Sequence, residues 1–164
     1  AIYLLADASN LPFKTKIFDN VTMIGGVLNH VEDFEKNIND VGRVLKKNGN
    51  FVFDVENRKY RIKKIKRSKE LYDTGYYEDI VDGKKTRFSQ LFFDPIGLKF
   101  LLHRNGFGVK IKGSSLIAST MIFHNIKPGY FEKSLLLIDK FLISIPKMKY
   151  FCETTIFVAR KISH

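Results

Sequence analysis

Between Phe18 and Val55 the chain reads as an apolar strand, a helix and a second apolar strand, joined by short connections. The first run, Phe18–Gly25, contains Val21, Met23 and Ile24 and is closed by Gly25-Gly26. Asp33 is placed to cap a helix in which Phe34, Ile38, Val41 and Leu45 recur at helical spacing. Gly49, after Lys46-Lys47-Asn48, is the expected stop, with the lysines at the negative end of the helix dipole. Phe51–Val55 is the second apolar run. Strand, helix, strand at this spacing predicts a right-handed crossover between parallel strands, and hence an α/β fold.

The flanking segments extend this pattern. Ile2–Ala6 is a short apolar run ending at Asp7, expected to be a buried parallel strand, and residues 8–17 read as a loop. Later, Tyr76–Val81 and Thr86–Phe93 flank Asp82-Gly83, a dipeptide suited to a tight hairpin. Asp94 and Pro95 fit the cap and first position of a helix, with Phe93 able to staple against Leu98 and Gly106 closing it. Val109–Lys112 is expected as a strand, 130–144 as an amphipathic helix and Thr154–Arg160 as the terminal strand. The reading is one domain over 1–164, with a basic segment and hairpin inserted at 58–93.

Composition bounds the functional classes. The 164 residues, 45% of them hydrophobic, are enough for one sizeable core. Cys152 is the single cysteine, so no internal disulfide forms, which agrees with a reducing, cytoplasmic location. The longest apolar run, 130–145, is broken by Glu132, Lys133, Asp139 and Lys140, so no transmembrane segment is expected. Net charge is +11, but eight cations lie in 58–69 (RKYRIKKIKRSK) with no acid among them, leaving +3 for the rest. Such a patch suits nucleic-acid phosphates, an anionic membrane surface, or simple solvation. His30, His103, His124 and His164 do not approach zinc spacing, and no metal site or Ser-His-Asp constellation stands out.

Three strands end in polar or glycine-bearing turns: Asp7-Ala8, Gly25-Gly26 and Glu56-Asn57. In an open doubly wound sheet these turns face the ligand side. A carboxylate at the first can accept from an exocyclic amine, and glycines at the second let backbone approach a ligand closely.

The motifs D-A-S-N-L-P-F followed by F-D-N-V, and R-V-L-K-K-N-G-N-F-V-F, resemble the acidic loop and post-helix signature of class I S-adenosylmethionine-dependent methyltransferases. Lys47 and Asn48 stand where that family usually has Pro and Gly. I-G-G-V-L-N-H and D-V-E-N-R-K-Y are similar to turns of the glycine/sarcosine N-methyltransferase branch, with Gly26-Val27 in place of its Asn-Ser. The resemblance implies a Rossmann-like doubly wound, mostly parallel sheet of methyltransferase type, N-terminally truncated and carrying an antiparallel insertion.

It further implies that S-adenosylmethionine is the cofactor. Asp7 is then the adenine-contacting carboxylate, Ala8 a backbone donor to the ring, and Ile24 and Gly25 backbone contacts to the methionine portion. His30 becomes a candidate catalytic or acceptor-site residue, and Asn29 a second candidate on the same turn. Tyr76, Tyr77 and Arg87 in the insertion are candidate lid residues over a small-molecule amine or hydroxyl acceptor. The glycine-rich loop of the family has no room in the six residues before Asp7, and all eleven glycines lie at Gly25 or later. This chain alone is therefore expected to bind cofactor poorly. Three further readings stay open: an RNA-directed methyltransferase using 58–69, a non-enzymatic binding remnant, and a lipid or quinone acceptor approached through helix 130–144, whose apolar stripe otherwise reads as facing the core.

Overall fold

Phe18–Met23 forms β1 and Leu45–Glu56 forms β2, joined through α1, Phe34–Val44. The computed structural model describes residues 3–59, 71–114 and 130–162, the side chains of 77–79 and 130–136 excepted. β1 and β2 pair in parallel, with Val21 opposite Phe51 and Met23 opposite Phe53. Asp33 caps α1 by accepting from the Lys36 amide at 3.1 Å. α1 buries Phe34, Ile38, Val41 and Val44, while alternate residues Phe51, Phe53 and Val55 of β2 are fully buried. Phe53 stacks on Phe51 and Phe157, with ring centroids 4.4 and 4.9 Å apart. Burying each such side chain is worth about 1.5–3 kcal/mol, and a one-residue slip would turn the whole set to solvent.

The joint after α1 departs from expectation. The helix ends at Val44, and Leu45 is already extended (φ −73, ψ 138) and paired with Phe18. Lys46 and Lys47 thus belong to β2, where the Lys46 ammonium reaches both Asp19 carboxylate oxygens at 2.9 and 3.0 Å. Asn48 adopts the left-handed conformation, φ 64, which Asn tolerates better than most residues. Gly49 is needed for space: a Cβ there would lie 3.0 Å from the carbonyl oxygens of Asp19 and Lys46. A register shift between Phe18 and Asn20 accommodates the extra residues.

The main sheet has the order β1-β2-β6-β5, with β5 at Phe107–Ser114 and β6 at Thr154–Lys161. β6 is antiparallel to both neighbours. The described sheet is therefore mixed, not mostly parallel, because β6 re-enters at the end where β5 leaves, Thr154 opposite Ser114. Of the run Ile2–Ala6, expected as a buried strand, the described residues 3–6 pair with no described strand, and Tyr3 and Leu5 are 93% and 101% exposed. Without a ladder beside it, an apolar run has nothing against which to bury.

β3, Tyr72–Val81, and β4, Lys84–Phe93, form a separate antiparallel pair, longer than expected. Asp82 (φ 51) and Gly83 (φ 73) make the tight turn, whose positive-φ conformation matches the right-handed twist of the flanking strands. α2, Pro95–Arg104, starts at Asp94, which accepts from the Ile96 amide at 3.0 Å. α3 spans Tyr130–Ser144. Among the described residues no helix is long and apolar enough to cross a membrane, and no cluster of metal-ligating side chains occurs.

Candidate functional site

The carboxyl end of β1 runs into Gly25 (φ 91) and Gly26 (φ 68), a conformation that side-chain-bearing residues rarely adopt. Both amides donate to one oxygen of Asp54 on β2, Gly25 at 2.9 Å and Gly26 at 3.1 Å. Two N–H groups on a carboxylate form a charge-assisted clamp across the parallel strand pair. With its amide occupied, Gly25 can offer a ligand its carbonyl oxygen. A Cβ built on Gly25 would meet nothing within 4 Å, so the turn borders open space, and Ile24 beside it is 57% exposed. Asp54 was not singled out from the sequence, where it is one more residue of a strand.

A 3-10 turn, Val27–His30, follows and ties the hairpin to this end of the sheet. Asn29 is fully buried; its Nδ2 donates to the Leu91 carbonyl at 2.5 Å, and its Oδ1 accepts from the Glu56 amide at 3.2 Å. Asn29 therefore bridges β2 and β4 through its buried side chain. An amide side chain is suited to this place because it satisfies one buried donor and one buried acceptor at once. His30, the next residue, is exposed, with Nδ1 3.3 Å from the Ser89 carbonyl on β4.

Ser89 is the cross-strand partner of Tyr76. The Arg87 guanidinium lies 4.1 Å from the centroid of the half-exposed Tyr76 ring, a cation–π contact. The hairpin thus brings His30, Tyr76 and Arg87 into one neighbourhood. The Tyr77 side chain lies outside the described residues.

Asp7 sits in a loop held by α1. Its Oδ1 accepts from the Ser9 amide and the Ser9 hydroxyl, both at 2.8 Å. These hydrogen bonds, the backbone one foremost, hold the exposed carboxyl below the usual Asp range. Asn37 donates to the Ala8 carbonyl at 2.5 Å, so Ala8 has its amide left to offer a ligand. Asp40 accepts from the Leu11 amide at 2.6 Å, while Arg43 donates to the carbonyls of Phe13 and Leu11 at 2.6 and 2.9 Å. Arg43 also pairs with Asp40 at 2.5 Å, which lowers the Asp40 pKa and raises that of Arg43. Asn37, Asp40 and Arg43 share one helix face, three residues apart. That spacing is the signal in the sequence for a face on which the loop docks.

At the third turn, Asn57 is buried and donates to the carbonyls of Tyr150 and Cys152 at 2.8 and 2.9 Å. The two cations that follow are occupied. Arg58, its side chain 7% exposed, pairs with Asp73 at 3.4 Å, and Lys59 pairs with Asp94 at 3.2 Å. They anchor the two ends of the hairpin insertion. The remaining cations of the basic segment, in 60–69, lie outside the described residues.

Comparison with known proteins agrees with this architecture. Residues 1–53 match a family model described as a methyltransferase domain. An uncharacterized protein of Methanocaldococcus jannaschii is 32% identical over 117 residues, covering 65% of this chain and 46% of that protein. The chain thus spans about half the length of the curated relative it matches. A putative S-adenosylmethionine-dependent methyltransferase of Listeria monocytogenes superposes with a TM-score of 0.60 at 14% identity, covering 99% of this chain and 69% of that one. A possible histamine N-methyltransferase of Thermotoga maritima gives 0.56 at 18% identity, covering 96% and 62%. The fold is the α/β fold of S-adenosylmethionine-dependent methyltransferases.

Proposed function

We propose that the full-length protein is an S-adenosylmethionine-dependent methyltransferase that acts on a small-molecule amine or hydroxyl. The observation that carries this reading is the Gly25-Gly26 turn. It lies at the carboxyl end of a parallel strand pair, is clamped by Asp54 and borders open space. The residues fit the cofactor. Asp7 has Oδ2 outside its contacts to Ser9 and can accept from an exocyclic amine, and the Gly25 carbonyl can accept from an ammonium group. When bound, the cofactor supplies a methyl group already activated on a sulfonium.

The protein's part is then to position the acceptor and receive a proton. His30 is suited to the second task. If its Nδ1–H donates to the Ser89 carbonyl, the ring is the tautomer with its lone pair on Nε2. Tyr76, the cross-strand partner of Ser89, and Arg87, two residues before Ser89 on β4 and stacked on Tyr76, suit the rim of an acceptor site. The pairing of Arg58 and Lys59 with acids supports the small-molecule reading over an RNA-directed one, since two of the eight clustered cations serve the fold.

The test is methyl transfer by the full-length protein from S-adenosylmethionine labelled in its methyl group. Amines, hydroxyl compounds and RNA are offered as acceptors. Label in a small amine or hydroxyl compound is expected. Label confined to RNA would overturn the acceptor class.

A further inference from the structure

Among the described side chains of α3 and its end, four large apolar ones are exposed. Leu137 is 67% exposed, Phe141 69%, Ile138 49% and Ile145, just past the helix end, 40%. Positions 137, 138, 141 and 145 fall on one helical stripe. Asp139, on another face, is 4% exposed. Past the following 3-10 turn, Met148–Tyr150, Phe151 is 47% exposed. The charges around it have one sign. Between 137 and 151 the chain has Lys140, Lys147 and Lys149, and its single acid is the buried Asp139.

We propose that the α3 face is a docking surface for an anionic lipid bilayer, on which the protein lies peripherally. A helix lying in the interface plane needs an apolar stripe reaching the acyl boundary and cations level with the headgroups. Leu137, Ile138, Phe141 and Ile145 supply the first, and Lys140, Lys147 and Lys149 the second. The lysines with no exposed acid among them select the anionic bilayer. A nucleic acid would leave the apolar stripe unsatisfied, and a second copy of this chain would bring like charges together. This inference is independent of the methyl-transfer reading.

The test is vesicle co-sedimentation of the full chain with phosphatidylcholine alone and with an equimolar phosphatidylcholine–phosphatidylglycerol mixture. Binding to the anionic vesicles is expected to be about tenfold tighter or more, and to weaken as salt rises. The double variant Leu137→Ser/Phe141→Ser, altered at exposed positions, is expected to lose about tenfold in vesicle affinity. Lys140→Glu/Lys147→Glu is expected to abolish the preference for anionic lipid. Equal binding to both vesicle types would overturn the proposal. So would full binding by the serine variant, which would assign attachment to the basic segment. A dimer that dissociates in the serine variant, with no vesicle binding by the parent, would give this face to a second copy.

Discussion

The carboxylate of Asp54 holds the amide of Gly25 at 2.9 Å across the parallel strand pair. A strand residue, far in sequence from the turn it serves, sets which backbone groups of that turn can meet a ligand. Replacing Asp54 with Ala leaves two amides without an acceptor. It is expected to cost about 1.5–3 kcal/mol, the range for a hydrogen bond to a charged group. Asp54→Asn, which keeps an acceptor oxygen, is expected to cost less. Urea unfolding of both variants checks this, and equal losses would argue against an acceptor role.

Asn29→Ala is expected to destabilise the fold by about 1–3 kcal/mol, because it strands the partly buried Leu91 carbonyl and Glu56 amide. The same denaturation measurement applies. A change within about 0.5 kcal/mol, the usual range of an inconsequential surface substitution, would contradict the bridging role.

The Asp40–Arg43 pair makes a pH-dependent contribution. The Arg43 guanidinium lowers the Asp40 pKa in the folded state, so the contribution is fully present above the unfolded value of about 3.9. It is lost as pH falls through the lower folded value. The stability difference between the parent and Asp40→Asn should therefore be present at pH 7 and shrink at about pH 3. A difference unchanged by pH would show that the ion pair is not its source.

Cys152 is fully buried, and burial, assisted by Asp139, pushes its thiol up to about 11. Near neutral pH the native thiol stays protonated and inaccessible, so a thiol reagent should label it only on unfolding. Gly113 is tied to the same packing: a Cβ there would overlap Cys152 Sγ. Rapid labelling of the native protein would contradict this packing.

What was legible in the sequence was local. Asp33 and Asp94 cap their helices where single-residue chemistry placed them, and Asp82-Gly83 makes the hairpin turn. The crossover from β1 to β2 followed from hydrophobic periodicity. The misses depend on partners distant in the chain. Nothing near Asn29 announces Leu91 sixty-two residues on, and nothing near Asp54 announces Gly25. Leu45 fits the helical stripe by spacing, yet pairing with Phe18 draws it into β2. The apolar face of α3 looked like core because periodicity reports a stripe without saying which way it faces.

The end of β1, with the Asp7 loop, is the proposed seat of S-adenosylmethionine in the full-length protein. Isothermal calorimetry of cofactor binding to the parent and to Asp7→Ala tests it most directly. Asp7 is exposed and its side-chain hydrogen bonds go to Ser9 in its own turn, so the substitution should leave the fold intact. Cofactor binding by the parent, weakened about tenfold or roughly 1.4 kcal/mol in Asp7→Ala, is the predicted result. No cofactor binding by the full-length parent, or an unchanged affinity in the variant, would contradict it.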